Sequence, residues 1–185
     1  MSYPSLLLKK DEERRLRAGH LWIYSNEIDI TKTPLKAFMP GDLVRIENSQ
    51  GRFFGIGYIN PNTLLAARVL TTHRYATIDT DFFIKRIRQA LALRETLYSK
   101  PYYRLIFGES DGLPGLVVDR FGDVLVVQIS THGMERLRPL LFEALIEVLK
   151  PTAILARDDS SAREIEQLPS GVTTVHGTAP ELVSI

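Results

Sequence analysis

Eight residues near the start of the chain carry the densest chemistry: Lys9, Lys10, Arg14, Arg15, Arg17, His20, Trp22 and Tyr24. Three arginines on little more than one helical turn spread positive charge along one edge. Arginine presents paired N–H donors in a fixed fork, which matches phosphate oxygens. The rings of Trp22, Tyr24 and His20 are of the kind that stack on unpaired bases. The competing reading places Trp22 and Tyr24 in a core and leaves the arginines as a solvated face.

Two further stretches contain acids. Glu109-Ser110-Asp111-Gly112-Leu113-Pro114-Gly115 leads on to Asp119-Arg120. Two nearby carboxylates suit acid–base work or a cation, but the spacing does not match a calcium-binding loop. An Asp before Gly and Pro also makes an ordinary turn. Arg157-Asp158-Asp159-Ser160 follows an apolar run, and Asp159 or Ser160 can cap a short helix there. The histidines, His20, His73, His132 and His176, lack metal-type spacing. No GxSxG elbow, P-loop or GxGxxG fingerprint occurs.

The elements that must position these groups fall into two parts. Leu6–Leu8 reads as a strand. KDEERRLRAGH reads as a helix with Asp11, Glu12 and Glu13 in its first turn and Gly19 at its end. Trp22–Tyr24 is extended, and TKTPLKAFMPGD is a loop. Leu43–Ile46 and Arg52–Ile59 pair across the turn Asn48-Ser49-Gln50-Gly51, with Gly55 and Gly57 marking a bulge or sharp curvature. Leu64–Leu70 follows the Asn60-Pro61-Asn62 turn. These short strands predict a small barrel over residues 1–75.

The polar stretch Thr71–Thr80 marks a boundary. Asp81–Tyr98 keeps helical spacing and is expected to bridge two units, with linker and helix together covering 76–99. Strands are expected at Tyr103–Phe107, Leu116–Asp119, Val124–Ile129, Ala153–Leu155 and Val172–Val175. Helices are expected at Met134–Leu149 and Ser160–Leu168, the former kinked or started by Pro139. The fold class is α+β: a small barrel, then a compact strand–strand–helix–strand–strand domain over 76–185.

Composition narrows the function classes. The chain has 185 residues, 44% of them hydrophobic and 24% charged, enough for a buried core. There is no cysteine, which excludes disulfides, thiolate–zinc sites and a cysteine nucleophile within this sequence. No apolar run approaches the roughly 20 residues of a bilayer span, and no signal peptide is apparent. A cytoplasmic protein with no membrane contact is therefore expected. The net charge of +1 is uneven: residues 1–76 hold eleven Lys/Arg against seven Asp/Glu (+4), and residues 77–185 twelve against fifteen (−3). A polyanion should meet the first part.

GHLWIYSNEI, PGDLVRIENSQGRFFGIGYINP and AARVL resemble the PUA domain of RlmI-type 23S rRNA (cytosine-5) methyltransferases. YRLIFGESDGLPGLVVDRFGDVLVVQIS, GMERLRPLLFEAL, ILARDDSSAREIEQLP and the closing APELVSI resemble the central domain of that family. Thr63 and Leu65-Ala66-Ala67 depart from the more polar strand entry expected there. The resemblance implies binding of structured RNA, 23S rRNA, through Lys9, Lys10, Arg14, Arg15, Arg17, His20, Trp22 and Arg68. It places Glu109, Ser110, Asp111 and Arg157 at a cleft facing a catalytic domain that this sequence lacks. S-adenosylmethionine would bind in that absent domain in cis, so no cofactor, no metal and no catalytic residue is expected within these residues, and the chain should be inactive alone. A homodimer through the uncovered surface is a further expectation. The alternatives are a stand-alone hydrolase using Glu109 and Asp111, and an RNA-binding or protein-interaction adaptor.

Overall fold

The computed structural model describes residues 3–180, so Glu181–Ile185, part of the APELVSI resemblance, lies outside the described residues. Two compact units divide the chain, Met1–Ala76 and Thr77–Ile185.

In the first unit, β1 (Ser5–Leu7), β2 (Trp22–Tyr24), β3 (Asp42–Glu47), β4 (Phe53–Ile59) and β5 (Leu65–Thr71) form one sheet in the order β1-β3-β4-β5-β2. Only β1 and β3 run parallel. A bridge between Leu8 and Ile28, just beyond the two edge strands, draws the sheet ends together and curls it. Leu6, Leu8, Ile23, Ile28, Val44, Ile46, Ile59 and Val69 fill the inside.

Gly57 is what permits the curl. A Cβ there would lie 2.1 Å from the Arg68 carbonyl oxygen, so β5 could not cross β4 so closely over any other residue. The expected bulge is found, but Phe54 is the extra residue: Ile46 pairs with Gly55 and Glu47 with Phe53.

Helix α1 is shorter than the sequence predicts, Arg14–Arg17 only. Asp11 takes a left-handed backbone (φ 68), so the acids do not form a first helical turn. Glu13 is instead buried, accepting from Asn48 Nδ2 at 3.3 Å and from Arg17 at 2.8 Å. Asn48 also accepts from the Gln50 and Arg52 amides through Oδ1, tying the β3–β4 turn to α1.

The second unit begins with α2 (Thr80–Leu97), capped by Asp79 accepting from the Phe82 amide. This helix was expected to bridge the units. It is instead a packed layer of the second, set against β6 (Tyr102–Phe107) and α4 (Arg138–Leu149). Phe83, Ile84, Ile87 and Ala90 supply its buried face, whereas Leu97 near its end is 66% exposed. The remaining elements are β7 (Leu116–Phe121), β8 (Val124–Ile129), α3 (His132–Arg136), β9 (Ala153–Asp158), α5 (Ala162–Ile165) and β10 (Gly171–Gly177).

The sheet order is β10-β9-β8-β7-β6, with β8 and β9 parallel and the other neighbours antiparallel. The α+β class holds, but among the described residues this unit has five strands, not the four of the condensed strand–strand–helix–strand–strand scheme. The strand at Tyr102–Phe107 belongs to the same sheet as the rest. Pro139 lies in the first turn of α4 and marks its true start.

Candidate nucleic-acid interface

The first unit gathers several of its basic and aromatic residues around β2. Ile23 is buried, so Trp22 and Tyr24 both project away from the core. Trp22 is 40% exposed, which overturns the reading of it as a core residue, and Tyr24 is half-buried. Arg68 sits directly opposite Trp22 on β5, so the sheet register joins two residues far apart in sequence.

Each arginine of α1 is tied to an acid. Arg15 lies 5.1 Å from the centre of the Tyr24 ring and donates to Glu27 at 3.3 Å. Glu27 is buried, and its other oxygen accepts from the Tyr24 amide at 2.6 Å. Arg17 pairs with Glu13 and stands 5.7 Å over Phe54. Arg14 reaches Asp11 at 4.0 Å, with both side chains widely exposed. The acids orient these guanidinium groups without burying them, so the N–H edges remain open to an anion. Lys9 donates to the Asn26 carbonyl at 2.7 Å, and Lys10 and His20 are exposed. Sequence reasoning missed Arg52 and Phe54, whose ring lies 5.8 Å from the Arg52 guanidinium. The Arg52-Phe53-Phe54 run inside PGDLVRIENSQGRFFG was the available signal.

In the second unit Asp111 serves as a structural tie. Its oxygens accept from Arg94 at 2.8 and 2.6 Å, and from the Phe107 amide at 2.7 Å. This fastens the turn Gly108–Asp111 to α2. Ser110 is exposed and Glu109 half-buried. The stand-alone hydrolase reading loses its geometry here, because Asp111 is committed to a bidentate arginine.

Arg157 is exposed and pairs with Asp159 at 3.3 Å. It lies at the end of β9, three strand steps from the end of β6, or about 14 Å at the usual spacing. The two halves of the expected cleft share one end of the sheet without forming one constellation.

Asp158, the neighbour of Arg157, organises what is actually buried there. It accepts from the Ile129 amide at 3.1 Å and from Arg138, while Arg163 stands 3.4 Å away. Arg163 is 2% exposed and also donates to Glu135, at 3.0 Å, and to the Ile129 and Pro169 carbonyls. Arg138 forms a bidentate pair with Glu135 at 2.7 and 2.8 Å. Burial opposes the charge on Glu135, but hydrogen bonds from Arg138 and Arg163 outweigh it and hold the carboxyl below its usual value. Burial likewise opposes the Arg138 charge, and bonds to Glu135 and Asp158 overcome it and raise its pKa.

An open groove of about 640 Å³ is lined by Leu93, Leu97, Tyr98, Arg104, Phe107 and Asp119. Leu93, Leu97, Tyr98 and Phe107 are all more than half exposed.

The Gly-Pro-rich stretch runs from a single turn into β7 rather than into a helix N-terminus, and its Asp111 is already bound to Arg94.

The first unit is a curled sheet edged by arginines and an exposed indole, and its residues 6–72 match the PUA-like domain family. Beyond that domain, the chain is 38% identical over 179 residues to ribosomal RNA large subunit methyltransferase I of Aliivibrio fischeri (strain MJ11), covering 95% of this chain and 44% of that protein. The Salmonella arizonae protein of the same name is 36% identical over 182 residues, covering 97% and 44%. The chain thus spans under half the length of these curated relatives. The resemblance to RlmI-type methyltransferases holds across both units.

Among solved structures, a Streptococcus mutans protein described as a SAM-dependent methyltransferase superposes with a TM-score of 0.76 at 17% identity, over 96% of this chain and 44% of that one. Another, SMU.776, described as a methyltransferase complexed with SAH, gives 0.77 at 15% identity over the same shares. At such identities these two establish the fold alone.

Proposed function

We propose that this chain is the RNA-holding portion of an rRNA methyltransferase. The PUA-like unit grips the RNA, and the second unit offers the face on which the methyl-transferring portion docks. The observation that carries this reading is the similarity to ribosomal RNA large subunit methyltransferase I along 95% of the chain. The geometry supports it. Arg14, Arg15, Arg17 and Arg52 supply oriented cations for phosphates, and Trp22 beside Arg68 supplies a stacking surface. RNA of the large ribosomal subunit is the expected substrate, met in the cytoplasm. No helix among the described residues is long and apolar enough to cross a membrane.

Methyl transfer and S-adenosylmethionine binding belong, in this reading, to the portion of the relatives that this chain does not span. The groove at Leu93, Leu97, Tyr98 and Phe107 is the docking face for that portion, ahead of the Glu109-Ser110-Asp111 turn and Arg157. A homodimer would compete for the same face.

The test is retention of large-subunit rRNA fragments by the purified chain across a salt series. Affinity should fall steeply with salt as phosphate contacts release counterions. A flat response, or no binding in dilute buffer, would overturn the proposal.

A further inference from the structure

Phe53 and Phe54 are adjacent, but they belong to different patches. Phe54 packs against the inner core and is flanked by Arg17 and Arg52. Phe53 pairs in register with Glu47 and stands 4.9 Å from the guanidinium of Arg45 and 5.4 Å from that of Arg74. Val44 and Ile46, on either side of Arg45, are both fully buried. Strand alternation therefore sends Arg45 to the outside of the sheet, and Glu47 and Phe53 with it.

Phe53 thus fixes two guanidinium groups that come from separate places, one from β3 and one from beyond β5. A guanidinium lying on a ring keeps its N–H edges free at the perimeter, where phosphate oxygens can meet them. Glu47 lies 3.4 Å from Arg45 and offsets part of its charge. Arg74 is exposed, and among the described residues it has no carboxylate partner. An exposed arginine held on an aromatic ring without an acid gains most from an external anion.

We infer that Arg45, Phe53 and Arg74 form a second RNA-contact surface on the outer side of the β3–β4 hairpin. It takes the phosphodiester backbone of a strand continuing from the Arg17–Arg52–Phe54 patch. Two successive residues of β4 supply one phenylalanine to each patch. This inference rests on the RNA-binding reading above and adds a path for the strand to it.

The probe is a labelled RNA hairpin with a single-stranded extension, titrated against the full chain over a salt series. Arg74→Gln should weaken binding about threefold to tenfold and lower the log–log salt slope by about one, as for one lost phosphate contact. Its melting temperature should be unchanged. Phe53→Leu should weaken binding similarly, because both guanidinium groups lose their support. Arg88→Gln, an exposed change in the second unit, should have no effect. If Arg74→Gln keeps both the affinity and the slope of the parent chain while Arg14→Ala loses affinity, the second surface is refuted and the first stands. If the parent chain itself does not bind the hairpin, the RNA-binding reading fails and this inference fails with it. Because Arg74 is exposed, its variant decides the matter even where Phe53→Leu folds poorly.

Discussion

The two units use the same residue types for opposite ends. In the first, Arg14, Arg15 and Arg17 each touch one acid and keep side-chain exposures of 80%, 40% and 55%. In the second, Arg163 and Arg138 share Glu135 and Asp158, with exposures of 2% and 23%. An arginine with one acid and an open edge can still serve a ligand. An arginine enclosed by two acids is committed to them and ties the surrounding elements together. Burial and partner number, not residue type, separate a binding arginine from a structural one.

Several changes would break or sharpen this contrast. The largest effect is expected from Arg163→Met, which takes one of two cations from Glu135 and Asp158 and the donor from the Ile129 and Pro169 carbonyls, and should cost about 3 kcal/mol. Urea denaturation would measure it, and a loss under ~1 kcal/mol would show that the network is not structural. Asp111→Asn should cost about 2 kcal/mol by weakening the tie to Arg94, with no effect on RNA affinity at temperatures where the chain stays folded.

In the first unit the readout reverses. Trp22→Ala should weaken RNA binding by about 1.5 kcal/mol, as for one lost stacking platform, while the melting temperature barely moves. If the melting temperature falls and the affinity holds, Trp22 is a packing residue after all.

The smallest effect is in acid. The Glu135 carboxyl titrates below its ordinary value of 4.5 in the folded state. Its contribution to stability is therefore fully present above that ordinary value and is lost as the pH falls through the lower, folded one. Glu135→Gln should flatten that part of the stability profile relative to the parent chain, and parallel profiles would argue against it.

Much of the strand pattern was legible because alternation is local. Leu43–Ile46 and Val124–Ile129 announce themselves by residue type, and Asn48–Gly51 by turn chemistry. The length of α1 was not legible. Asp11 and Glu13 look like first-turn acids, yet Glu13 is drawn inward by Asn48, 35 positions away. The role of α2 was equally hidden, since its apolar face fits a bridge or a packed layer and only α4 decides between them. At the second site, Arg157 stood out by its position after an apolar run. The buried Asp158 beside it matters more, because a strand's alternation turned it toward Arg138 and Arg163.

The sequence by itself determined the α+β class, the basic character of residues 1–76, the turn at Asn48–Gly51 and the resemblance to rRNA methyltransferases. Those depend on composition, short-range spacing and direct similarity. Only the tertiary structure decided that Trp22 faces solvent beside Arg68, that Phe53 and Phe54 serve different patches, and that Asp111 and Asp158 are held by arginines. Each of these depends on cross-strand register or on contact between distant segments. A one-residue change of register reverses which face a strand side chain occupies, and no local pattern records it.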